Sequence, residues 1–155
     1  KPEDIRSREI KGIEVKREDI VLEKIEYNTS TSREVFLSYK VKSEDKICGF
    51  LRLSLPKKGI SKNHPLEELK NSSIIREVHV YGKVVGIDKE SKEGESQHLG
   101  LGKELIKMAE DISKKHGFER ISVISAIGTR EYYKKLGYKR DDLYMVKGFH
   151  EVIHT

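Results

Sequence analysis

Ile74-Ile75-Arg76-Glu77-Val78-His79-Val80-Tyr81, then Gln97-His98-Leu99-Gly100-Leu101-Gly102, then Gly128-Thr129-Arg130-Glu131-Tyr132-Tyr133-Lys134-Lys135-Leu136-Gly137-Tyr138: these three runs decide how the chain is read. The first alternates and predicts a strand. Ile74, Arg76, Val78 and Val80 fall on one face, and Ile75, Glu77, His79 and Tyr81 on the other. The second run opens a helix predicted over 101–115. Its Leu101, Leu105, Met108, Ala109 and Ile112 recur at helical spacing and predict one apolar stripe, with Met108 in core packing. Lys103, Glu104, Lys107, Glu110, Asp111 and Lys114 are expected in water. Gly117, after Lys114-Lys115-His116, is a helix stop with cations at the negative dipole end. Ile121-Ser122-Val123-Ile124 predicts a buried strand, and the third run a short helix over 129–136 closed by Gly137. A glycine-bearing turn at a helix start aims several amides at one spot, the physical arrangement that holds a phosphate or diphosphate.

Working outward, residues 1–17 are charge-rich and read as a linker or edge segment from an upstream domain, leaving 18–155 as the folded unit. Residues 18–28 fit a short helix or a strand equally well. Asn28-Thr29-Ser30-Thr31-Ser32 is a turn by composition. Glu34-Val35-Phe36-Leu37-Ser38-Tyr39 and Ile47-Cys48-Gly49-Phe50-Leu51-Arg52-Leu53 predict an antiparallel hairpin with its tip at Asp45-Lys46 and one buried face; Gly49 marks a bulge or a close backbone approach. Residues 55–73 form a long polar excursion with a short helix expected near 66–69. A short strand is expected over 84–87, a solvated loop over 88–96, and a last strand over 144–149.

The chain has 155 residues, enough for one self-sufficient domain. Charged residues make up 37% and the net charge is +5. That balance suits either an RNA partner or an ordinary mixed-sign solvated surface. Cys48 is the single cysteine, which excludes an internal disulfide and a self-contained cysteine cluster for zinc or iron–sulfur. In its apolar run it reads as a small buried hydrophobe rather than a nucleophile. No apolar run approaches ~18 residues and the start lacks a signal-peptide pattern, so a soluble, cytoplasmic protein with no membrane partner is expected. Lys1-Pro2 in place of a methionine suggests a piece of a longer chain.

Several chemistries are weighed on these residues. A dinucleotide fold is excluded, because the Gly-x-Gly turn follows a long polar loop and no acid ends the 121–124 strand. A Walker loop is absent. The turn over 97–102 can still place the amides of 99–103 around a diphosphate, with Lys103 at the rim. Tyr132 and Tyr133 point about 100° apart on a helix of 3.6 residues per turn, so one packs while the other presents a hydroxyl. A phenol suits a general acid at neutral pH. Glu77 and His79, side by side on one strand face, are the candidates for a neutral-pH base. The remaining histidines lack metal-ligand spacing, and no metal is expected.

Gln97-His98-Leu99-Gly100-Leu101-Gly102 resembles the Gln/Arg-x-x-Gly-x-Gly/Ala signature of the GNAT acetyltransferases, and Leu136-Gly137-Tyr138 resembles the glycine-aromatic end of the same domain. With Arg76-Glu77-Val78-His79-Val80-Tyr81-Gly82, Val123-Ile124-Ser125 and Gly128-Thr129-Arg130 added, the closer resemblance is to the acetyltransferase domain of the Elongator catalytic-subunit family. It covers most of the chain. The resemblance implies an α/β fold of GNAT acyl-CoA N-acyltransferase type, a mixed, mostly antiparallel sheet flanked by helices. It implies acetyl-CoA bound by Val78, Val80, Gln97, His98, Leu99, Gly100, Leu101, Gly102, Lys103 and Tyr133. It implies catalysis by Tyr132, Tyr133, Glu77 and His79, on tRNA wobble uridine. The longer protein would add S-adenosylmethionine and a 4Fe-4S cluster on an upstream radical-SAM domain, with other Elongator subunits as partners. The radical-SAM cysteines are missing here, and Ser7 stands where the family has a zinc-linked cysteine, which puts zinc in doubt. A free-standing lysine or amine acetyltransferase and a non-catalytic tRNA-docking module using Lys57, Lys58, Lys134, Lys135, Lys139 and Arg140 are the rival readings.

Overall fold

The computed structural model describes residues 14–66, 69–81, 83–85, 94–124, 129–141 and 144–149, with the backbone alone for 14, 15, 83–85 and 94–99. Elements follow in the order β1 (Glu14–Lys16), β2 (Ile20–Asn28), β3 (Ser32–Val41), β4 (Ile47–Pro56), α1 (Lys58–Lys62), β5 (Ser72–Val80), β6 (Lys83–Val85), α2 (Gly94–Lys115), β7 (Arg120–Ile124), α3 (Arg130–Lys135), β8 (Lys139–Asp141) and β9 (Tyr144–Gly148). Seven strands form one mixed sheet in the order β2-β3-β4-β5-β7-β9-β8, and β1 pairs with β6 in a separate parallel pair. β5 runs parallel to β7, while β7–β9 and β9–β8 are antiparallel. The ambiguous segment over 18–28 is therefore a strand, β2, at one edge of the sheet. Eight of its nine residues are exposed, among them Val21, Leu22, Ile25 and Tyr27.

Four expectations are corrected. The hairpin strand β4 is buried on both faces, with Phe50 at 3% exposure although it is out of phase with Leu51 and Leu53. A short helix that was not expected, Lys58–Lys62, follows β4; in the 66–69 stretch expected to hold one, the Leu69 N–H donates to the Leu66 carbonyl at 3.0 Å, and 67 and 68 lie outside the described residues. β8 was not expected; its three residues are all charged and exposed, so no apolar alternation announces it. Glu110 was expected in water and is 4% exposed, whereas Met108 and Ile112 of the expected stripe are only half-buried. Of the linker or edge segment expected over 1–17, residues 1–13, Ser7 among them, lie outside the described residues and 14–16 form β1; of the loop expected over 88–96, residues 88–93 lie outside them and 94–96 are the start of α2.

The chain packs as two compact units, and β2 to β5 and α2 each contribute to both. The first holds residues 1–25, 36–51 and 77–106. Leu37, Tyr39, Ile47, Cys48, Leu51, Leu101 and Leu105 are buried in it. Gly49 is the close approach that its sequence position suggested: a Cβ there would lie 3.2 Å from Leu101 Cδ2 and 3.4 Å from the His79 carbonyl oxygen. A side chain at this position would crowd Leu101, which would have to give by a few tenths of an ångström.

The second unit holds residues 26–35, 52–76 and 107–155. Its core includes Leu53, Ile75, Ala109, Ile121, Val123, Tyr138 and Met145. Buried serines satisfy one another, Ser72 with Ser122 at 2.7 Å and Ser73 with Ser113 at 2.6 Å. α2 ends as its sequence predicts. Gly117 takes φ +85°, and the Phe118 N–H reaches back to the Ser113 carbonyl at 3.1 Å. Gly137 does the same for α3 at φ +96°, with the Tyr138 N–H on the Tyr133 carbonyl at 3.0 Å.

Glu110 is held by the Tyr138 hydroxyl, which donates to Oε2 at 2.9 Å, and by Lys147 Nζ, 3.2 Å from Oε1. Lys147 also donates to the Leu136 carbonyl at 3.0 Å, tying the end of α3 to the same carboxylate. Removing one partner of a buried pair leaves a stripped charge behind. Lys147→Met should therefore cost about 3 kcal/mol. The double variant Glu110→Gln, Lys147→Met should recover part of that loss in urea denaturation, since no charge is then left unpaired.

Candidate cofactor and substrate site

In the first unit, the strand β5 places Glu77, Val78, His79 and Val80 as the alternation predicts. Glu77 is exposed, and Val78, His79 and Val80 are half-buried. His79 Nε2 lies 3.5 Å from Glu77 Oε1, so the i, i+2 pair is in ion-pair range. The imidazole also lies parallel to Tyr81, with 6.1 Å between ring centres and 3° between planes, and it rests 5.2 Å from the Phe50 ring. The Tyr81 N–H donates to the Cys48 carbonyl at 2.8 Å, which fixes this end of β5 beside β4. The result is an aromatic floor with an imidazole–carboxylate pair on it.

The glycine run differs from expectation. The helix predicted from 101 begins at Gly94, so Gln97 to Gly102 are helical rather than a turn. Only the first four amides of an α-helix are free. The amides of 99–103, which a diphosphate turn needs, are therefore committed to the helical ladder in this structure. Gly100 is half-buried, Leu101 and Gly102 are buried, and Lys103 is exposed. The side chains of Gln97, His98 and Leu99 lie outside the described residues.

One cluster escaped the sequence reading. Glu104 Oε1 accepts from Arg17 Nη2 at 2.9 Å and from the Tyr39 hydroxyl at 2.8 Å. The Arg17 guanidinium lies 5.2 Å over the Tyr39 ring, and the Cys48 thiol donates to the Tyr39 carbonyl at 3.4 Å. Burial, reinforced by Glu104, pushes the Tyr39 hydroxyl up to about 12, and burial pushes the Cys48 thiol up to about 11. Cys48 is thus held as a neutral thiol, as its apolar run suggested. Partners 65 and 87 residues apart leave no local signal.

In the second unit, α3 carries both tyrosines, and burial separates them. Tyr133 is 4% exposed and packs edge-on against Tyr138 at 5.5 Å. Tyr132 is half-buried and meets Tyr133 edge-on at 5.3 Å. Burial pushes Tyr132 up to about 12 and raises Tyr133 further, with Tyr132 adding to the effect. Both phenols keep their protons throughout the neutral range, so they can donate and cannot act as bases. Of the two, Tyr132 is the one with an exposed surface to present. Among the described residues, no three His, Cys, Asp or Glu side chains converge to hold a metal, and no helix is long and apolar enough to cross a membrane.

Comparison with known proteins brings this geometry into a family. Residues 6–138 match the model of the acetyltransferase (GNAT) family. The chain is 41% identical over 150 residues to the tRNA uridine(34) acetyltransferase of Methanocaldococcus jannaschii, covering 92% of this chain and 27% of that protein. It is 39% identical to Elongator complex protein 3 of Saccharomyces cerevisiae over 93% of this chain and 26% of that one. The solved structure of Methanocaldococcus infernus Elp3, lacking its N-terminal residues, superposes with a TM-score of 0.71 at 36% identity, covering 94% of this chain and 35% of that one. The chain thus spans about a quarter of the length of the curated relatives it matches.

The tyrosine shifts have a consequence for stability. Tyr39 titrates near 10.0 when unfolded and near 12 when folded. The folded state holds that proton more tightly, so the stabilisation is complete below pH 10 and is lost as pH rises towards 12. Urea midpoints measured from pH 9 upward should fall across that window, and Tyr39→Phe should flatten the fall.

Proposed function

From the premise that this chain belongs to the acetyltransferase (GNAT) family, we propose that it is the acetyl-CoA-binding domain of an enzyme that modifies the wobble uridine of tRNA. The observation that carries the reading is the 41% identity, over 92% of the chain, to a protein named tRNA uridine(34) acetyltransferase. The thioester of acetyl-CoA supplies an activated acetyl group, and the residues of this chain would bind it and control protons around it.

In the first unit, the N-terminal part of α2 is the proposed diphosphate site, with Gln97, His98, Leu99, Gly100, Leu101, Gly102 and Lys103 as its members. The helical amides there would have to be released. Gly100 and Gly102 favour this, since each weakens a helix interior by about 1 kcal/mol relative to alanine. Binding would exchange two marginal helical turns for amide–phosphate hydrogen bonds at a positive helix end. Val78 and Val80 on β5 would line the cofactor, with Glu77 and His79 on the opposite strand face as the polar wall.

In the second unit, Tyr132 is the proposed acid. Its retained proton fits a donor to a thioester carbonyl, or to the thiolate that leaves when the carbon–sulfur bond breaks. Tyr133 is proposed to hold Tyr132 in place through their edge-on contact.

S-adenosylmethionine and the 4Fe-4S cluster would belong to the radical-SAM part of a longer polypeptide. One cysteine cannot ligate such a cluster. Contacts with that part and with other Elongator subunits, in the cytoplasm, complete the proposal.

Isothermal titration of the chain with acetyl-CoA tests the cofactor site. Gly100→Ala strengthens the helix while adding one methyl group and no charge, and should weaken binding several-fold; Gly100→Arg should weaken it at least tenfold. Unchanged affinity in both variants would remove the 97–102 segment from the site. Tyr132→Phe should leave acetyl-CoA affinity within about twofold while lowering the rate of thiol release, measured with a chromogenic disulfide.

A further inference from the structure

The second unit carries a surface that the acetyl-CoA reading does not use. In the sheet, Arg120 on β7 stands opposite Gly148 on β9, and Lys139 on β8 stands opposite Val146. Directly paired residues share a face, and alternation adds Ser122, which is buried, Ile124, Tyr144 and, opposite Tyr144, Asp141 to it. The intervening positions Ile121, Val123 and Met145 point the other way and are buried. On the open face, Gly148 and Val146 form a low floor between two cations. The floor is one strand wide, so the flanking strands stand about 10 Å apart at the usual inter-strand spacing.

An open groove of about 730 Å³ lies here, lined by Arg120, Lys139, Arg140, Val146 and the two glycines 137 and 148, with Asp141 as its one carboxylate. Arg120 and Lys139 stand on this face either side of the floor, with Arg140, paired with Met145, only at its edge, and together they suit an anion larger than a single phosphate. At the far end of the same face, Ile124 is 63% exposed and Tyr144 is half-buried. A cationic trough with a half-buried ring and an exposed apolar side chain at the far end of the same strands matches the two demands of an unpaired polynucleotide: backbone charge and a stacking partner for a splayed base.

We propose that the β7–β9–β8 face is a docking surface for single-stranded RNA, with Arg120 and Lys139 on the phosphodiester chain and Tyr144 under an unstacked base. The proposal rests on the tRNA reading above and deepens it by giving the RNA a place on the chain. An acidic protein segment is the competing occupant. It would use the cations but has no need of the stacking platform, so the combination favours RNA.

The test is fluorescence anisotropy of the full chain with a labelled anticodon stem–loop RNA bearing uridine at the first anticodon position, titrated at several salt concentrations. Arg120→Gln, Lys139→Gln should weaken binding at least tenfold. It should also reduce the log–log salt slope by about 1.4, at about 0.7 for each single-strand phosphate no longer neutralised. The charge-preserving Arg120→Lys, Lys139→Arg variant should keep the wild-type slope. Tyr144→Ala should weaken the stem–loop several-fold and leave a blunt RNA duplex unaffected. Acetyl-CoA affinity should be unchanged in all of these variants, which separates failure of this surface from failure of the cofactor reading.

Three results would overturn the proposal. One is no RNA binding by the wild-type chain. Another is an equal weakening in the control variant Lys57→Gln, Lys58→Gln, which would make the attraction diffuse. The third is displacement of the RNA by polyglutamate at equal charge concentration, which would hand the groove to acidic protein.

Discussion

The carboxylate of Glu110 sits almost fully buried on α2, and a charge stripped of water must be met by partners or it unfolds its surroundings. Those partners come from the end of the chain, Tyr138 and Lys147. Lys147 in turn holds the last carbonyl of the α3 turn. Much of the second unit follows from this one acid. The left-handed turn at Gly137 delivers Tyr138 to it, and a Cβ at that glycine would lie 3.3 Å from Lys147 Cε. Tyr138 then backs Tyr133, and Tyr133 backs Tyr132. The hydroxyl proposed to act as the acid is therefore the outer end of a stack whose root is an ion pair.

The first unit repeats the device with a different composition. Glu104, six positions earlier on the same helix, gathers the guanidinium of Arg17 and the phenol of Tyr39. Here the acid is only half-buried, so part of its solvation is retained and the two donors complete the rest. Both clusters place a carboxylate on α2 and an aromatic hydroxyl on its partner, and in both the phenol is driven to remain protonated.

Strand alternation was legible where local pattern and burial agree. The run over 74–80 placed Glu77 beside His79, and the pair lies within ion-pair range. The two C-terminal glycines of α2 and α3 were legible for the same local reason, since a stop needs only φ freedom at one residue. What could not be read were decisions made by distant residues. Glu110 looks like any surface acid in a helical pattern, because the lysine and tyrosine that bury it lie 37 and 28 positions on. The start of α2 was misplaced because glycines at 100 and 102 are poor helix formers, yet the helix runs back to Gly94 through them. β8 has three charged residues and exists because β9 offers it an antiparallel register, which no alternation could announce. The choice between Tyr132 and Tyr133 was open in sequence and falls to burial.

β2 has a consequence for how the chain behaves in company. It is a nine-residue strand at the margin of a sheet, and Val21, Leu22, Ile25 and Tyr27 face water along it. Such a margin is a template on which another chain can lay a strand, and the usual protection is charge spaced among the apolar positions. Glu23, Lys24 and Glu26 are that charge. Colloidal stability therefore hangs on three side chains that have no part in catalysis. Replacing them with apolar residues would turn the strand into a continuous apolar edge open to a second chain.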